Sequence, residues 1–459
     1  MAIAQGVIDP VTAPRSRRAL VAGSVGNFIE WYEFGVYGFL ATIMASNFFS
    51  AGDGTDLESL IKTYAAFALA FFFRPVGAAL FGRVGDRIGR RPTLIMVLLL
   101  MSGATTLIGV LPTYATIGIA APILLTLVRI LQGLSAGGEF GGAVSVMTEF
   151  APRGRRGLFG SWQSFTVALG LLTGAGVVAT LATALSPGQL ADWGWRVPFL
   201  LALPMGLVAL WLRLKLEETP SFERVEKATS ASAVDSPPEA QREALGSAPG
   251  PAPAVVSRPS AAELTRTIAL GIGRLMGWSA AGYTFLVVMP SYLQTSLNAT
   301  FQQALLATVL ANVGFALTIL PAGLLSDRVG RRAVMVTGVM LILLLALPLL
   351  NLLQNPDGAL LVKALAVLLA GAAVGLIAGP GPAMLSEMFP TTVRYTGLGL
   401  SYSLSNAVFA GSAGLIITAL IKRTSNLDIP AYYVMITCAI SAVALLTLRG
   451  DDHQRDLRD

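Results

Sequence analysis

Twelve strongly apolar stretches, each with few or no charges, follow one another along these 459 residues, and nothing else constrains the fold as tightly. They run over 19–45, 60–82, 92–111, 116–147, 158–185, 195–214, 268–293, 304–325, 333–353, 360–385, 396–421 and 432–448. Each is long enough to cross a hydrocarbon core about 30 Å thick as a helix. Only 13% of the residues are charged, about half the usual quarter, so the chain cannot dress a water-facing surface. Inside lipid every backbone N–H and C=O must be satisfied within the segment, which selects helices. Twelve helices of about 25 residues consume about 300 positions and leave about 150 for loops and tails. The expected fold class is an all-α polytopic membrane protein with twelve transmembrane helices. The first stretch follows Arg15, Arg17 and Arg18. It is too long for a signal-peptide core and is followed by further spans, so it is read as retained.

The basic residues set the orientation. With both termini placed in the cytoplasm, about 24 of the 32 Lys and Arg fall on inner loops and tails, about 5 outside and 3 within spans. The net charge of +6 is thereby explained by topology in a cell inner membrane, and no nucleic acid is required.

Between the sixth and seventh stretches, 217–263 turns abruptly rich in Pro, Ala and Ser and reads as a flexible cytoplasmic linker. It separates an N-terminal bundle of six helices (19–216) from a C-terminal one (264–449), flanked by cytoplasmic tails 1–18 and 450–459. The halves repeat each other. Gly85-Asp86-Arg87-Ile88-Gly89-Arg90-Arg91 returns as Ser326-Asp327-Arg328-Val329-Gly330-Arg331-Arg332, and Glu149, Pro152 and Arg156 return as Glu387, Pro390 and Arg394. Two motifs repeating in order imply two pseudo-symmetric six-helix bundles around a central path.

The chemistry available is narrow. One cysteine, Cys438, and one histidine, His453, exclude a disulfide framework and a His/Cys metal site, so any proton carrier within the membrane is a carboxylate. Glu30 lies about 16 Å into the core, and Glu33 follows at i+3 on the same helix face. Two neighbouring carboxylates in a poorly solvated place cannot both ionise cheaply, which suits proton coupling, although either can simply neutralise an arginine. Glu139, in a glycine-rich stretch that permits close helix approach, is either a third proton carrier or the partner of Arg129.

Arg129 lies about 18 Å deep, stays charged, and can hold a carboxylate through two parallel hydrogen bonds. It either binds substrate or pairs permanently with Glu139 or Glu30. Arg274 has no acid in its own span and is a candidate anion site. Arg74, late in the second stretch, is expected to snorkel toward the cytoplasmic surface. Trp31, Tyr32, Phe34 and Tyr37 surround the acidic pair, with Trp162, Trp278 and Tyr283 on other helices. Aromatic faces can cradle a quaternary ammonium, or simply pack and anchor at the interface. In the loops, Asp86 and Asp327 are placed to meet helix N-termini across the halves, while Arg87, Arg90, Arg328 and Arg331 can pair with Glu149 and Glu387 as a gate. Positive-inside anchoring is the plainer reading of the outer arginines.

The two D-R-x-G-R-R loops resemble the signature of the major facilitator superfamily, and Arg129-Ile130-Leu131-Gln132-Gly133 resembles its fourth-helix motif. Gly26-Asn27-Phe28-Ile29-Glu30-Trp31-Tyr32-Glu33-Phe34, Arg74-Pro75-Val76-Gly77, Gly137-Gly138-Glu139-Phe140, Gly160-Ser161-Trp162, Trp193-Gly194-Trp195-Arg196-Val197-Pro198-Phe199 and Glu217-Glu218-Thr219-Pro220 are similar to motifs of the metabolite:proton symporter family. Within it, Pro290-Ser291-Tyr292-Leu293 and Pro430-Ala431-Tyr432-Tyr433 look most like the proline/glycine-betaine:proton symporters. The chain departs from them in having Glu33 where the family usually has Asp. It also ends at Asp459 without the C-terminal coiled coil of the osmosensing members, so the resemblance does not carry osmotic activation over.

The resemblance implies a monomeric secondary-active symporter that rocks one bundle against the other, needs no cofactor, and takes its drive from the proton gradient. Proline or betaine is the first expected cargo, with 2-oxoglutarate or shikimate second. Glu30, Glu33 and Glu139 are the expected proton-coupling residues. Arg129, Arg274, Asn27, Trp31, Tyr37, Gln132, Trp162 and Tyr283 are the expected substrate contacts. A diacid needs two cations, expected as Arg129 with Arg274. Drug:proton antiport on the same scaffold and a non-transporting membrane sensor are the alternatives. An enzyme is not expected, because no nucleophile-base pair, phosphate loop or metal cluster appears.

Overall fold

The computed structural model describes residues 13–50, 57–88, 90–137, 154–214 and 260–450, together with residue 454 and seven scattered positions between 140 and 152. Most of the 217–263 linker, and most of both tails, lie outside the described residues. At the linker's end Ser260 caps a helix, its hydroxyl accepting from the Glu263 N–H at 3.2 Å, so helix begins at Ala261 rather than after 263. At the other terminus helix begins at Ala13, within the expected tail.

The helices, numbered in chain order, are α1 (Ala13–Phe39), α2 (Leu57–Ile88), α3 (Arg90–Val110), α4 (Ala120–Ala136), α5 (Arg156–Ala184) and α6 (Ala202–Leu214). The second half repeats the series as α7 (Ala261–Tyr283), α8 (Phe301–Val329), α9 (Arg331–Gln354), α10 (Leu360–Ala378), α11 (Thr391–Ser405) and α12 (Ile429–Leu446). Eight of the described helices are long and apolar enough to cross a membrane, and two shorter ones, within α3 and α4, are apolar as well. The remaining two are α1 and α7, whose faces carry Glu30, Glu33 and Arg274. Several spans continue beyond these limits through π-helical turns, at Ala45–Phe49 after α1, Thr284–Val288 after α7 and Asn406–Gly411 after α11. Such turns often mark functional sites in helical proteins.

The repeat seen in the sequence is a repeat of packing. α4 presses on α2 so closely that a Cβ at Gly133 would strike the Ala70 carbonyl, and one at Gly137 the Arg74 carbonyl. In the second half α10 presses on α8 in the same way, Gly371 against the Ala311 carbonyl and Gly379 against that of Ile319. Small residues let helix backbones approach where lipid offers no hydrophobic drive for association. This contact sets the N-terminal half of the site, because it holds the stretch of α2 bearing Arg74 against the stretch of α4 that follows Arg129. Across the halves, α5 runs along α8, and α2 runs along α11 and its continuation.

Candidate functional site

The centre of the molecule is a buried charged cluster built on α1. Glu30 and Phe34, four residues apart, face α2, Glu33 faces α3, and Tyr37 packs between α2 and Arg129 of α4. The two acids are neighbours on one helix, yet their partners stand on different helices. Glu30 Oε1 lies 3.2 Å from Arg74 Nη1. Glu33 accepts from Ser102 Oγ at 3.0 Å and from Thr105 Oγ1 at 2.7 Å, both on α3.

Arg74 does not snorkel. It is buried at the centre, its guanidinium 4.3 Å from the ring centroids of both Phe34 and Phe71 and 5.8 Å from that of Trp31. Arg129 is fully buried over the rings of Tyr37 (4.2 Å), Phe67 (4.9 Å) and Phe34 (5.0 Å). Both guanidiniums therefore share the Phe34 ring. Desolvated cation-π contacts are worth on the order of 2 kcal/mol each, which offsets part of the cost of holding these charges out of water. Arg129 pairs with neither Glu30 nor Glu33. Its Nη1 donates to Gln132 Oε1 at 2.6 Å, and Gln132 Nε2 donates to Thr105 Oγ1 at 2.6 Å.

Four guanidinium nitrogens, the Nε and Nη2 atoms of Arg74 and Arg129, are buried without a hydrogen-bond partner among the described residues. The Tyr283 hydroxyl is a fifth such group. Tyr283 ends α7 and brings the second half into the cluster, its ring centroid 5.3 Å from Phe71, 6.0 Å from Trp31 and 6.2 Å from Phe67. Buried donors are almost always satisfied in native proteins, so unpartnered ones of this kind are candidates to meet a ligand's acceptors. Below this level Tyr402 of α11 stacks on Phe140, with Trp278 at 6.0 Å.

Of the other expected contacts, Tyr37 is buried, donates to the Thr63 carbonyl at 3.1 Å and stacks on Phe67. Asn27 ties α1 to α5 through the Gln163 carbonyl (3.1 Å) and Thr166 Oγ1 (2.6 Å). Trp162 is 41% exposed, and its Nε1 donates to Ser24 Oγ at 2.9 Å, away from the cluster. Arg274 does not meet Arg129: its Nη2 donates to Thr447 Oγ1 at 2.8 Å and its Nε to the Ala444 carbonyl at 3.3 Å, both at the end of α12. Glu139 and Glu149 lie outside the described residues, as do the side chains of Asp86, Arg87 and Arg90.

At the arginine-rich end, Asp327 crosses between the halves. Its Oδ1 and Oδ2 accept from the backbone N–H groups of Gly157 (2.7 Å) and Leu158 (2.9 Å) in the first turn of α5. Gly330, at φ 95°, makes the turn from α8 into α9 that lets Arg331 fold back. Arg331 lies 2.7 Å from Asp327 Oδ1 and 3.1 Å from Glu387 Oε1, and Arg156 of the first half stands 3.7 Å from the same Glu387 oxygen. Arg328 is exposed and outside this cluster. At the opposite end the halves are bridged by Tyr64 with Ser291 (2.7 Å), Thr42 with Gln294 (3.1 Å) and Lys422 with Glu58 (3.3 Å).

Sequence reasoning missed Phe67, Phe71, Ser102 and Thr105 as parts of the cluster. They are unremarkable residues in apolar runs, and only helix phase brings them to the acids.

Residues 19–448 match the sugar (and other) transporter family. The chain is 35% identical over 433 residues to the proline/betaine transporter of Escherichia coli strain K12, covering 94% of this chain and 83% of that one. It is 36% identical over 436 residues to the glycine betaine/proline/ectoine/pipecolic acid transporter OusA of Dickeya dadantii, covering 94% and 82%. It is 35% identical over 447 residues to the inner membrane metabolite transport protein YhjE of Escherichia coli strain K12, covering 95% of each. Among solved structures it resembles the proton:xylose symporter XylE bound to 6-bromo-6-deoxy-D-glucose, with a TM-score of 0.73 at 18% identity over 95% of each chain. A chain with this helix repeat, this charged centre and these relatives is a membrane transporter rather than an enzyme, and it belongs to the sugar (and other) transporter family of the major facilitator superfamily.

Proposed function

We propose that this transporter is a proton-coupled importer of a small zwitterion of the proline or betaine type, with its site at the Arg74–Arg129–Tyr283 cluster. The observation that carries this reading is the set of unpartnered donors on Arg129, Arg74 and Tyr283 in a buried aromatic surround. A carboxylate placed there receives charge-assisted hydrogen bonds that nothing else in the cluster supplies. The aromatic rings offer faces to an ammonium group.

Charge counting favours a zwitterion over a diacid. With Glu30 and Glu33 both ionised, the two acids balance Arg74 and Arg129. One bound proton leaves the cluster at a net +1, which attracts one carboxylate. Proton and cargo then strengthen each other's binding, the sign symport requires. The Arg129–Arg274 pair considered for a diacid is not assembled, since Arg274 is engaged by α12. The curated relatives named for proline, betaine and ectoine support the same cargo class.

In this reading Glu33 and Glu30 are the proton-coupling acids, with Glu139 a third. Arg129, Tyr37, Trp31, Gln132 and Tyr283 form the first half of the site and its opposing wall, and Asn27 braces it. The Asp327–Arg331–Glu387–Arg156 cluster, with Asp86, Arg87, Arg90 and Glu149 as its repeat, closes the cytoplasmic side, and the halves rock about the central site. Both termini and the 217–263 linker face the cytoplasm. No cofactor is needed beyond the proton gradient.

The test is uptake of a panel of labelled proline, betaine, ectoine, 2-oxoglutarate, shikimate and xylose into proteoliposomes under an imposed pH gradient. Gradient-driven accumulation of the zwitterions supports the reading. Accumulation that is unchanged when the gradient is collapsed, with voltage held at zero, refutes the coupling.

A further inference from the structure

Arg129 and Glu33 carry opposite charges, stand in one buried cluster, and do not touch. What links them is a relay of two neutral side chains, Gln132 on Arg129 and Thr105 on Glu33. Gln132 accepts from Arg129 Nη1 with its carbonyl and donates to Thr105 Oγ1 with its amide, each at 2.6 Å, and Thr105 donates onward to Glu33 at 2.7 Å. Gln132, Thr105 and Glu33 are all fully buried.

We propose that Gln132 is a positioning residue that sets the pH range of transport by holding Arg129 away from Glu33. The inference rests on the reading of Glu33 as a proton-coupling acid.

The bridge tolerates either protonation state. Thr105 Oγ1 also lies 3.0 Å from the Met101 carbonyl. With Glu33 ionised, the single Thr105 hydrogen goes to Glu33. With Glu33 protonated, the acid donates to Thr105, whose own hydrogen turns to Met101, while Gln132 still donates to the hydroxyl. One hydrogen rotates and no heavy atom needs to move. Direct contact with Arg129 would remove that tolerance, because an adjacent guanidinium holds a carboxylate in its charged form. The carrier would then load its proton only at a more acidic pH.

Among the described residues, the other groups around Glu33 leave Gln132 in this position. Its own helix contributes Glu30, held by Arg74 of α2, with the phenols Tyr32 and Tyr37. On α3 its contacts are the hydroxyls Ser102 and Thr105. The span Pro187–Leu214 carries Arg196, ahead of α6 and bound to the carbonyls of Gly109 and Leu111, and Arg213 in the last turn of α6. The second half brings Tyr283 and, below it, Tyr402. Among the described residues, Arg129 is the cation joined to Glu33 through neutral side chains, with Gln132 the one that holds its guanidinium.

Two substitutions predict opposite shifts. Gln132→Met keeps the volume and abolishes both hydrogen bonds, so Arg129 closes on Glu33. Gln132→Glu keeps a partner on Arg129 and adds a negative charge beside Thr105, disfavouring the ionised form of Glu33. The readouts are the pH at half-maximal proton-driven proline uptake in proteoliposomes and, independently of transport, the pH at which the carboxylic C=O stretch assigned by its loss in Glu33→Gln appears in infrared difference spectra. The expected result is a shift of about one pH unit or more to acid in Gln132→Met and a shift to alkaline in Gln132→Glu. A purely structural disturbance has no reason to move the two variants oppositely, and each folded variant tests its own sign. Profiles that coincide with wild type, or that shift in the same direction, overturn the proposal while leaving the symport reading intact. Wild-type uptake with no pH dependence overturns both.

Discussion

Arg74 Nη1 stands 3.2 Å from Glu30 Oε1 in a pair whose two side chains are each more than nine-tenths buried. The pair locks α1 to α2 at mid-height, and its partners are not equivalent. Glutamate can discard its charge by taking up a proton, but arginine cannot lose one in a protein.

Removing Glu30 should therefore destabilise the fold more than removing Arg74. Glu30→Gln leaves a permanent buried cation, at an expected cost of about 3 to 5 kcal/mol, whereas Arg74→Met leaves an acid that neutralises itself at a smaller cost. Thermal unfolding of the two variants in detergent should rank them in that order. The double variant Glu30→Gln/Arg74→Met should be more stable than Glu30→Gln alone.

Arg129→Lys should weaken cargo binding while leaving the protein folded. Lysine keeps the charge but presents no flat fork, so it cannot make two parallel bonds to a carboxylate or lie over Tyr37 and Phe67 in the same way. The expected effect is a rise in KM for proline counterflow of about tenfold or more, the loss of one charge-assisted hydrogen bond. An unchanged KM would remove Arg129 from the binding site.

The twelve spans were legible because a run of about twenty mostly apolar residues with few charges is satisfied in lipid as a helix. The repeat was legible because Gly330 and its neighbours recur as a loop motif, and loops carry residue types that helices avoid. Arg74 was not legible in its true setting. It stands late in the apolar run 60–82, but the helix continues past that run to Ile88, so Arg74 is near the middle of a 32-residue helix. Arg274 looked unpaired because its own span offers no acid, yet its partners are a backbone carbonyl and a threonine on α12, which lies far off in sequence. Trp162 has the right composition and the wrong phase: on α5 it points outward while Gln163 and Ser164 point in. Depth can be counted along a chain, whereas the direction of a side chain about the helix axis depends on which helices pack against it.

Glu33→Gln should separate drive from passage. The amide still accepts from Ser102 or Thr105 and fills the same space, but it cannot exchange a proton. Concentrative uptake under a pH gradient is expected to be lost, while exchange of labelled for unlabelled proline across the membrane persists. Normal accumulation by Glu33→Gln, with Glu30→Gln behaving likewise, would take proton coupling away from this pair.

Asp327→Asn should bias the carrier toward opening at its arginine-rich end. The Asp327 carboxylate caps the first turn of α5 from the other half, where the helix dipole and two backbone N–H donors favour a negative charge, and it balances Arg331 at 2.7 Å. Asparagine keeps one acceptor oxygen and removes the charge, which is worth about 1 to 2 kcal/mol in such a place, or a five- to thirty-fold change in the ratio of closed to open forms. Ser164 of α5 donates across the halves to the Ala378 carbonyl at 2.8 Å, so a cysteine there reports their separation. With Cys438 replaced by alanine, the single cysteine of Ser164→Cys should react with a hydrophilic maleimide several times faster when Asp327→Asn is added. Equal rates with and without that substitution would show that the Asp327 cap does not hold the halves together.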